Sequence, residues 1–245
     1  MTRPDLKIGC CGFPVARERY YQKFKVVEVQ QTFYQPPRIA TVKKWRQQAP
    51  VDFEFTVKAW QLITHNPASP TYRRLKLKIE EVKRTSYGFF QPTREVLQAW
   101  EQVDLIASAL RAKIVLFQSP ASFRPEKTNV DNLRRFFKTI TRRNYLFVWE
   151  PRGGWPEPLI KKLCTELRLI HGVDPFKNEP LSGGIRYFRL HGITGYRYKY
   201  TDSDLKNLRN FCPPAVTSYV MFNNTGMWPD ADRFRRLLPT KMTGQ

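Results

Sequence analysis

The sequence predicts an α/β protein folded as one TIM-type (β/α)8 barrel domain, with a long excursion between its third and fourth strands. Three observations carry this prediction. Eight short β-rich runs recur in order, segments of helical period separate them, and 245 residues is close to what eight strand-helix units consume. The barrel is expected over residues 1–240, with a short tail at 241–245.

Taken in order, the runs are 6–10 (LKIGC), 26–30 (VVEVQ), 53–58 (FEFTVK), 114–118 (IVLFQ), 146–150 (LFVWE), 169–173 (LIHGV), 186–191 (RYFRLH) and 219–223 (YVMFN). Between the second and third, Ile39, Val42, Trp45 and Ala49 fall on one helical face. After the third, Val96, Trp100, Val103, Ala107 and Leu110 mark a helix over 93–110. Helices over 130–140, 159–167, 204–211 and 231–238 complete the alternation. The third connection is the long one: residues 59–113 number 55, far more than one helix needs. Its YRRLKLKIEEVKR portion, 72–84, holds six basic and two acidic residues and reads as a solvated helix face, or else as a lid or binding element.

Composition narrows the function classes. The chain has 42 Lys and Arg against 21 Asp and Glu, a net charge of +21, which predicts an acidic partner. Hydrophobic residues at 41% and aromatics at 14% exclude a disordered basic tail. No apolar run approaches the ~20 residues of a membrane span, and the start lacks a secretory signal core, so a soluble cytoplasmic protein without a membrane partner is expected. Cys10, Cys11, Cys164 and Cys212 have no CxxC spacing and are expected to be reduced.

Side chains alternate along a strand, so each run divides into an outer apolar set and an inner polar set. The inner set would hold Glu28, Lys58, Glu150, Arg189 and His191, with Gln118, Asp174 and Asn223 near strand ends and Arg152 two residues beyond Glu150. A structural barrel fills its interior with branched apolar side chains, and barrel enzymes place catalytic groups at strand C-termini. Charges there point to a site, or to a salt-bridge network without chemistry.

At these same residues a resemblance enters. IGCCGF (8–13), VEVQQTFYQPP (27–37), FTVKAWQLITH (55–65), LFQSPASF (116–123), EPRGGW (150–155), YFRLHG (187–192) and YVMFNN (219–224) together look like the YecE-like family, domain of unknown function 72. The resemblance runs from Lys7 to about Leu238. It implies a TIM-type barrel and no settled reaction. Glu28, Phe33, Tyr34, Lys58, His65, Glu150, Arg152, Arg189, His191, Asn223 and Asn224 fit the family pattern. Three positions depart from it: Gln30 replaces the usual asparagine, Phe13 the usual tryptophan, and Cys11 a small polar residue.

Three histidines, His65, His171 and His191, without HxH or HExxH spacing argue against a multi-zinc site. The cofactor stays open, with a single Mg²⁺ or Mn²⁺ on Glu28, Glu150 or Asp174 the metal such carboxylates would hold. Glu150, His191 and Glu28 are the candidate acid/base groups. Lys58, Arg152 and Arg189 are expected to hold an anion, with Asn223 and Asn224 orienting it, beside Gln118, Tyr34 and His65. Tyr198, in the GYRYKY stretch after the seventh strand, is the candidate for stacking on single-stranded nucleic acid. The expectation is an anionic substrate at the barrel mouth, nucleic acid or a nucleotide phosphate, with phosphodiester hydrolysis the sharpest reaction. The alternatives are an enzyme acting on a small phosphorylated or carboxylated metabolite and a non-catalytic nucleic-acid-binding protein. Oligomeric state is left open.

Overall fold

A computed structural model describes residues 5–238, and the expected tail at 241–245 lies outside them. In chain order the elements are β1 (Leu6–Cys11), α1 (Arg17–Tyr21), β2 (Val26–Val29), α2 (Gln31–Tyr34), α3 (Ile39–Gln48), β3 (Glu54–Lys58), α4 (Gln61–Thr64), α5 (Arg94–Leu110), β4 (Ile114–Gln118), α6 (Lys127–Thr139), β5 (Leu146–Glu150), α7 (Glu157–Glu166), β6 (Ile170–Val173), β7 (Arg186–Leu190), α8 (Asp202–Asn210), β8 (Ser218–Phe222) and α9 (Met227–Arg236). The eight strands pair in sequence order and close into a barrel. Closure is parallel, β8 running beside β1 from Leu6 opposite Ser218 to Cys10 opposite Phe222.

Each predicted strand is present within a residue or two. Their outward apolar residues bury under the helices: Phe117 and Phe147, 5.3 Å apart, meet Trp100 of α5 and Phe136 of α6. Ile114, Leu116, Val148, Ile170 and Met221 fill the barrel interior with Tyr187 and Tyr219. α5 starts where the Thr93 hydroxyl accepts from the Val96 N–H, and α8 starts with a full capping box between Thr201 and Asp204.

Three expectations are corrected. The segment 72–84 is not a helix; two 3-10 turns, Pro70–Arg74 and Glu81–Ser86, flank an irregular exposed stretch. Like charges crowd it, while Tyr72, Leu75 and Ile79 still pack against the core. The sixth unit lacks its helix, because the link from Val173 to Arg186 contains Pro175, Pro180 and a Gly183-Gly184 pair and is too short for a full crossover helix. α9 begins at Met227, four residues before the expected 231.

The excursion folds back onto the mouth. Gly88 N–H donates to the Leu62 carbonyl at 2.8 Å and Phe90 N–H to Ile63 at 2.8 Å, stitching the excursion to α4. Gly88 sits at φ +82°, where a Cβ would lie 2.2 Å from the His65 carbonyl oxygen, so only glycine permits this approach. The Tyr72 hydroxyl donates to the same carbonyl at 2.8 Å.

Candidate active site

The polar residues at the C-terminal ends of the strands converge on one guanidinium. Arg189 of β7 donates from Nε to Glu28 Oε2 at 3.0 Å and from Nη2 to Glu28 Oε1 at 2.9 Å. Its Nη1 donates to Glu150 Oε2 at 2.6 Å and to Gln118 Oε1 at 3.2 Å. Arg189 and Glu28 are both 0% exposed. Alternation along β2, β5 and β7 turns these side chains inward, and the barrel brings their strands around one axis.

Arg189 is therefore no ligand contact, contrary to the expectation that it holds a phosphate: all three of its nitrogens are taken by the protein. It fixes two carboxylates, and they in turn hold its pKa well above the usual arginine value, against the opposing effect of burial. Tyr187, two residues earlier on the same inner face, donates its hydroxyl to Glu28 Oε2 at 2.8 Å, and the Thr56 hydroxyl lies 2.8 Å from it. The i, i+2 relation to Arg189 was the signal that could have selected Tyr187.

Glu150 links this buried frame to the mouth. Its Oε1 accepts from Arg152 Nη2 at 2.6 Å, and the same Nη2 lies 2.7 Å from His191 Nε2. Burial pushes the Glu150 carboxyl up, but the charges of Arg189 and Arg152 outweigh it and hold the group at about 2. An always-ionised, doubly paired carboxylate is a weak proton donor and a weak base, so the acid/base role expected of Glu150 does not suit its surroundings. Glu28, with every oxygen engaged, belongs to the same frame.

His191 is better placed. Burial lowers its pKa, opposed by Asp174 and Glu150, so the ring is neutral near pH 7. Asp174 accepts the His191 backbone N–H at 3.1 Å and lies 3.8 Å from its Nδ1. This favours the tautomer with the proton on Nδ1 and the Nε2 lone pair towards Arg152. Arg152 itself is 34% exposed in its side chain, and its buried Nε–H has no hydrogen-bond partner among the described residues. Beside it a cleft of about 120 Å³ is lined by Glu150, His171, Asp174 and Lys177.

Across the mouth, Lys58 ends β3 with its Nζ 3.9 Å above the Phe33 ring. Burial, reinforced by the Arg189 charge, lowers its pKa to about 7. His65 packs edge-on to Phe33 at 4.9 Å and is held neutral, its pKa lowered to about 3 by burial and the Lys58 charge. Tyr34 contacts Phe33 on one side and lies under the Arg74 guanidinium at 4.5 Å.

Two expected contacts are absent from this cluster. Tyr198 donates its hydroxyl to Asp204 at 2.7 Å and so braces the start of α8, while Asn224 donates to the Tyr198 carbonyl at 2.8 Å and to Asp230 at 2.7 Å. Asn223 is half-buried, its N–H donating to the Leu190 carbonyl at 2.8 Å. Tyr196, not Tyr198, is the exposed tyrosine against the site, edge-on to His191 at 5.5 Å. The loop turns sharply at Gly192 and Gly195, both at positive φ, so strand alternation cannot select between the tyrosines. Gln30 donates to Glu28 Oε1.

Among the described residues, no three His, Cys, Asp or Glu side chains converge to hold a metal ion. The Mg²⁺ or Mn²⁺ considered above would have to compete with guanidinium groups for Glu28 and Glu150. The Cys10 and Cys11 thiols are buried, which pushes the first to about 12 and the second well above its usual value, unsuited to nucleophilic work.

The fold and site together define a TIM-type barrel with an arginine-centred charge cluster closing the base of its C-terminal mouth. Comparison with known proteins then places it: residues 16–243 match the family described as "Protein of unknown function DUF72", and the chain belongs to that family. A DUF72 family protein from Enterococcus faecalis V583 superposes with a TM-score of 0.71 at 18% identity, covering 96% of this chain and 97% of that one. One from Thermotoga maritima MSB8 gives 0.68 at 19%, covering 95% and 98%. A xylose isomerase domain containing protein from Salmonella typhimurium LT2 gives 0.56 at 12%, covering 97% and 96%, a likeness of fold alone. No curated protein matches the chain. No helix among the described residues is long and apolar enough to cross a membrane.

Proposed function

We propose that the mouth binds a phosphate-bearing ligand and that the chain acts on it by proton transfer. The carrying observation is the buried, unpartnered Nε–H of Arg152, a donor whose guanidinium is oriented by Glu150. A buried donor without an acceptor is costly, and a ligand oxygen would satisfy it. His191, neutral and beside Arg152, is the group to take a proton from water or a substrate hydroxyl once the ligand oxygen draws Arg152 Nη2 away from its Nε2.

Nucleic acid or a nucleotide is the ligand class favoured by the rim. Lys83 and Arg84 of the excursion pair with Glu80 and Glu81, but Arg73, Arg74, Lys76 and Lys78 have no carboxylate partner among the described residues. Arg74 over Tyr34 and the Lys76 N–H on Gln35 bring that basic stretch to the mouth. Phosphodiester hydrolysis is the reaction this arrangement serves most directly. A small phosphorylated or carboxylated metabolite is the second reading, favoured by depth: His191 and Lys58 are only 4% and 6% exposed.

Titration of a labelled single-stranded oligonucleotide and of inorganic phosphate across salt concentrations tests the proposal. A polyanion reading requires a steep fall of log affinity with log salt. Absence of phosphate binding to the mouth, and no turnover of phosphodiesters with or without divalent ions, would sink it.

A further inference from the structure

We infer that Lys58 is an imine-forming amine, so that the mouth accepts a small aldehyde or ketone that carries an anionic group. The inference rests on the reading of Arg152 as the anion contact and adds the chemistry of the group at the other side of the mouth.

Lys58 has one contact that favours its charged form, the ring of Phe33. Lys58 Nζ lies over Phe33, and no oxygen among the described residues accepts a hydrogen bond from it. Such a ring contact stabilises a desolvated ammonium by about 2 kcal/mol or more, against several kcal/mol for burying an unpaired charge. The surrounding charges do not make up the difference. Glu28 from β2 and Glu150 from β5 are spent on Arg189 and Arg152, Arg189 from β7 repels, Cys11 from β1 carries a protonated thiol, and His65 after α4 is neutral. The balance leaves the free amine well populated near pH 7.

A free amine at the end of a barrel strand attacks carbonyl carbon. The Nζ–C bond forms, the carbonyl oxygen takes up two protons and departs as water, and a C=N linkage remains; no oxidant or reductant enters. Phe33 faces the nitrogen of the imine as it faces the amine. With 6% of Lys58 exposed, the carbonyl carbon has to be at the tip of a small molecule, whose charge the inference assigns to Arg152.

The test uses the full chain, glycolaldehyde phosphate as probe and borohydride to trap the imine as a secondary amine, followed by peptide mapping. Lys58 is expected to label ahead of surface lysines, with half-maximal rate near pH 7. Excess inorganic phosphate or Arg152→Gln should slow that labelling about tenfold, equivalent to about 1.4 kcal/mol. Lys58→Met should keep the wild-type circular dichroism and lose this label. If Lys58 labels no faster than surface lysines while the chain still binds inorganic phosphate, the imine inference fails and the anion site stands. If neither label nor phosphate binding is found, both fail.

Discussion

Arg189 meets Glu28 through two parallel hydrogen bonds of 3.0 and 2.9 Å, with neither side chain reaching solvent. Breaking a buried pair strands a charge, so Arg189→Met should lower the unfolding free energy by about 3–5 kcal/mol. Combining it with Glu28→Gln should restore part of that loss by removing one stranded carboxylate. Urea unfolding of the single and double variants checks both, and a loss under about 1 kcal/mol in the single variant would contradict the clamp.

Acid should act through Glu150. Its folded pKa of about 2 lies below the usual 4.5, so the stabilisation is present above pH 4.5 and is lost as pH falls towards 2. The amount is roughly 3 kcal/mol. Urea midpoints between pH 6 and pH 2.5 measure it; Glu150→Gln should be less stable at neutral pH and show a flatter acid limb.

Lys58 should have the opposite dependence. Its folded pKa of about 7 lies below the usual 10.5, so the unfolded chain binds the extra proton and stability rises with pH across that interval. At neutral pH the buried amine costs the fold on the order of 4 kcal/mol. Lys58→Met should therefore raise the thermal midpoint at pH 7 and remove the rise towards pH 10.

Arg152→Gln should weaken phosphate binding about tenfold or more and cost less stability than Arg189→Met, because Glu150 keeps its pair with Arg189. Isothermal titration with inorganic phosphate and urea unfolding read the two effects separately.

The tyrosines of the GYRYKY stretch should separate by role. Tyr196→Ala should reduce oligonucleotide affinity by about 1–3 kcal/mol if a base stacks there. Tyr198→Phe should cost about 1 kcal/mol of stability through the lost bond to Asp204 and leave affinity unchanged. Fluorescence anisotropy and thermal unfolding distinguish them.

The barrel was legible because its determinants are local. Period-two alternation in VVEVQ and RYFRLH already turns Glu28 and Arg189 to the inner face, and burial of Val27 and Phe188 outside leaves no other register. The excursion was legible as an excess of length, but its conformation was not: Tyr72, Leu75, Ile79 and Val82 have helical spacing although the segment forms only 3-10 turns, and its docking depends on Gly88 and Phe90 meeting α4. The missing sixth helix could have been read from Pro175, Pro180 and the glycine pair.

The sequence by itself determined the strands, the face each side chain takes and the presence of charges inside the barrel, since these follow from neighbours along the chain. Only the tertiary structure decided what those charges do. Whether Arg189 holds a ligand or two glutamates, whether Glu150 can exchange a proton, and whether Lys58 has a partner all depend on atoms more than a hundred residues apart, or on separate strands, meeting within about 3 Å in a site closed to water, where pairing and desolvation set the charge state.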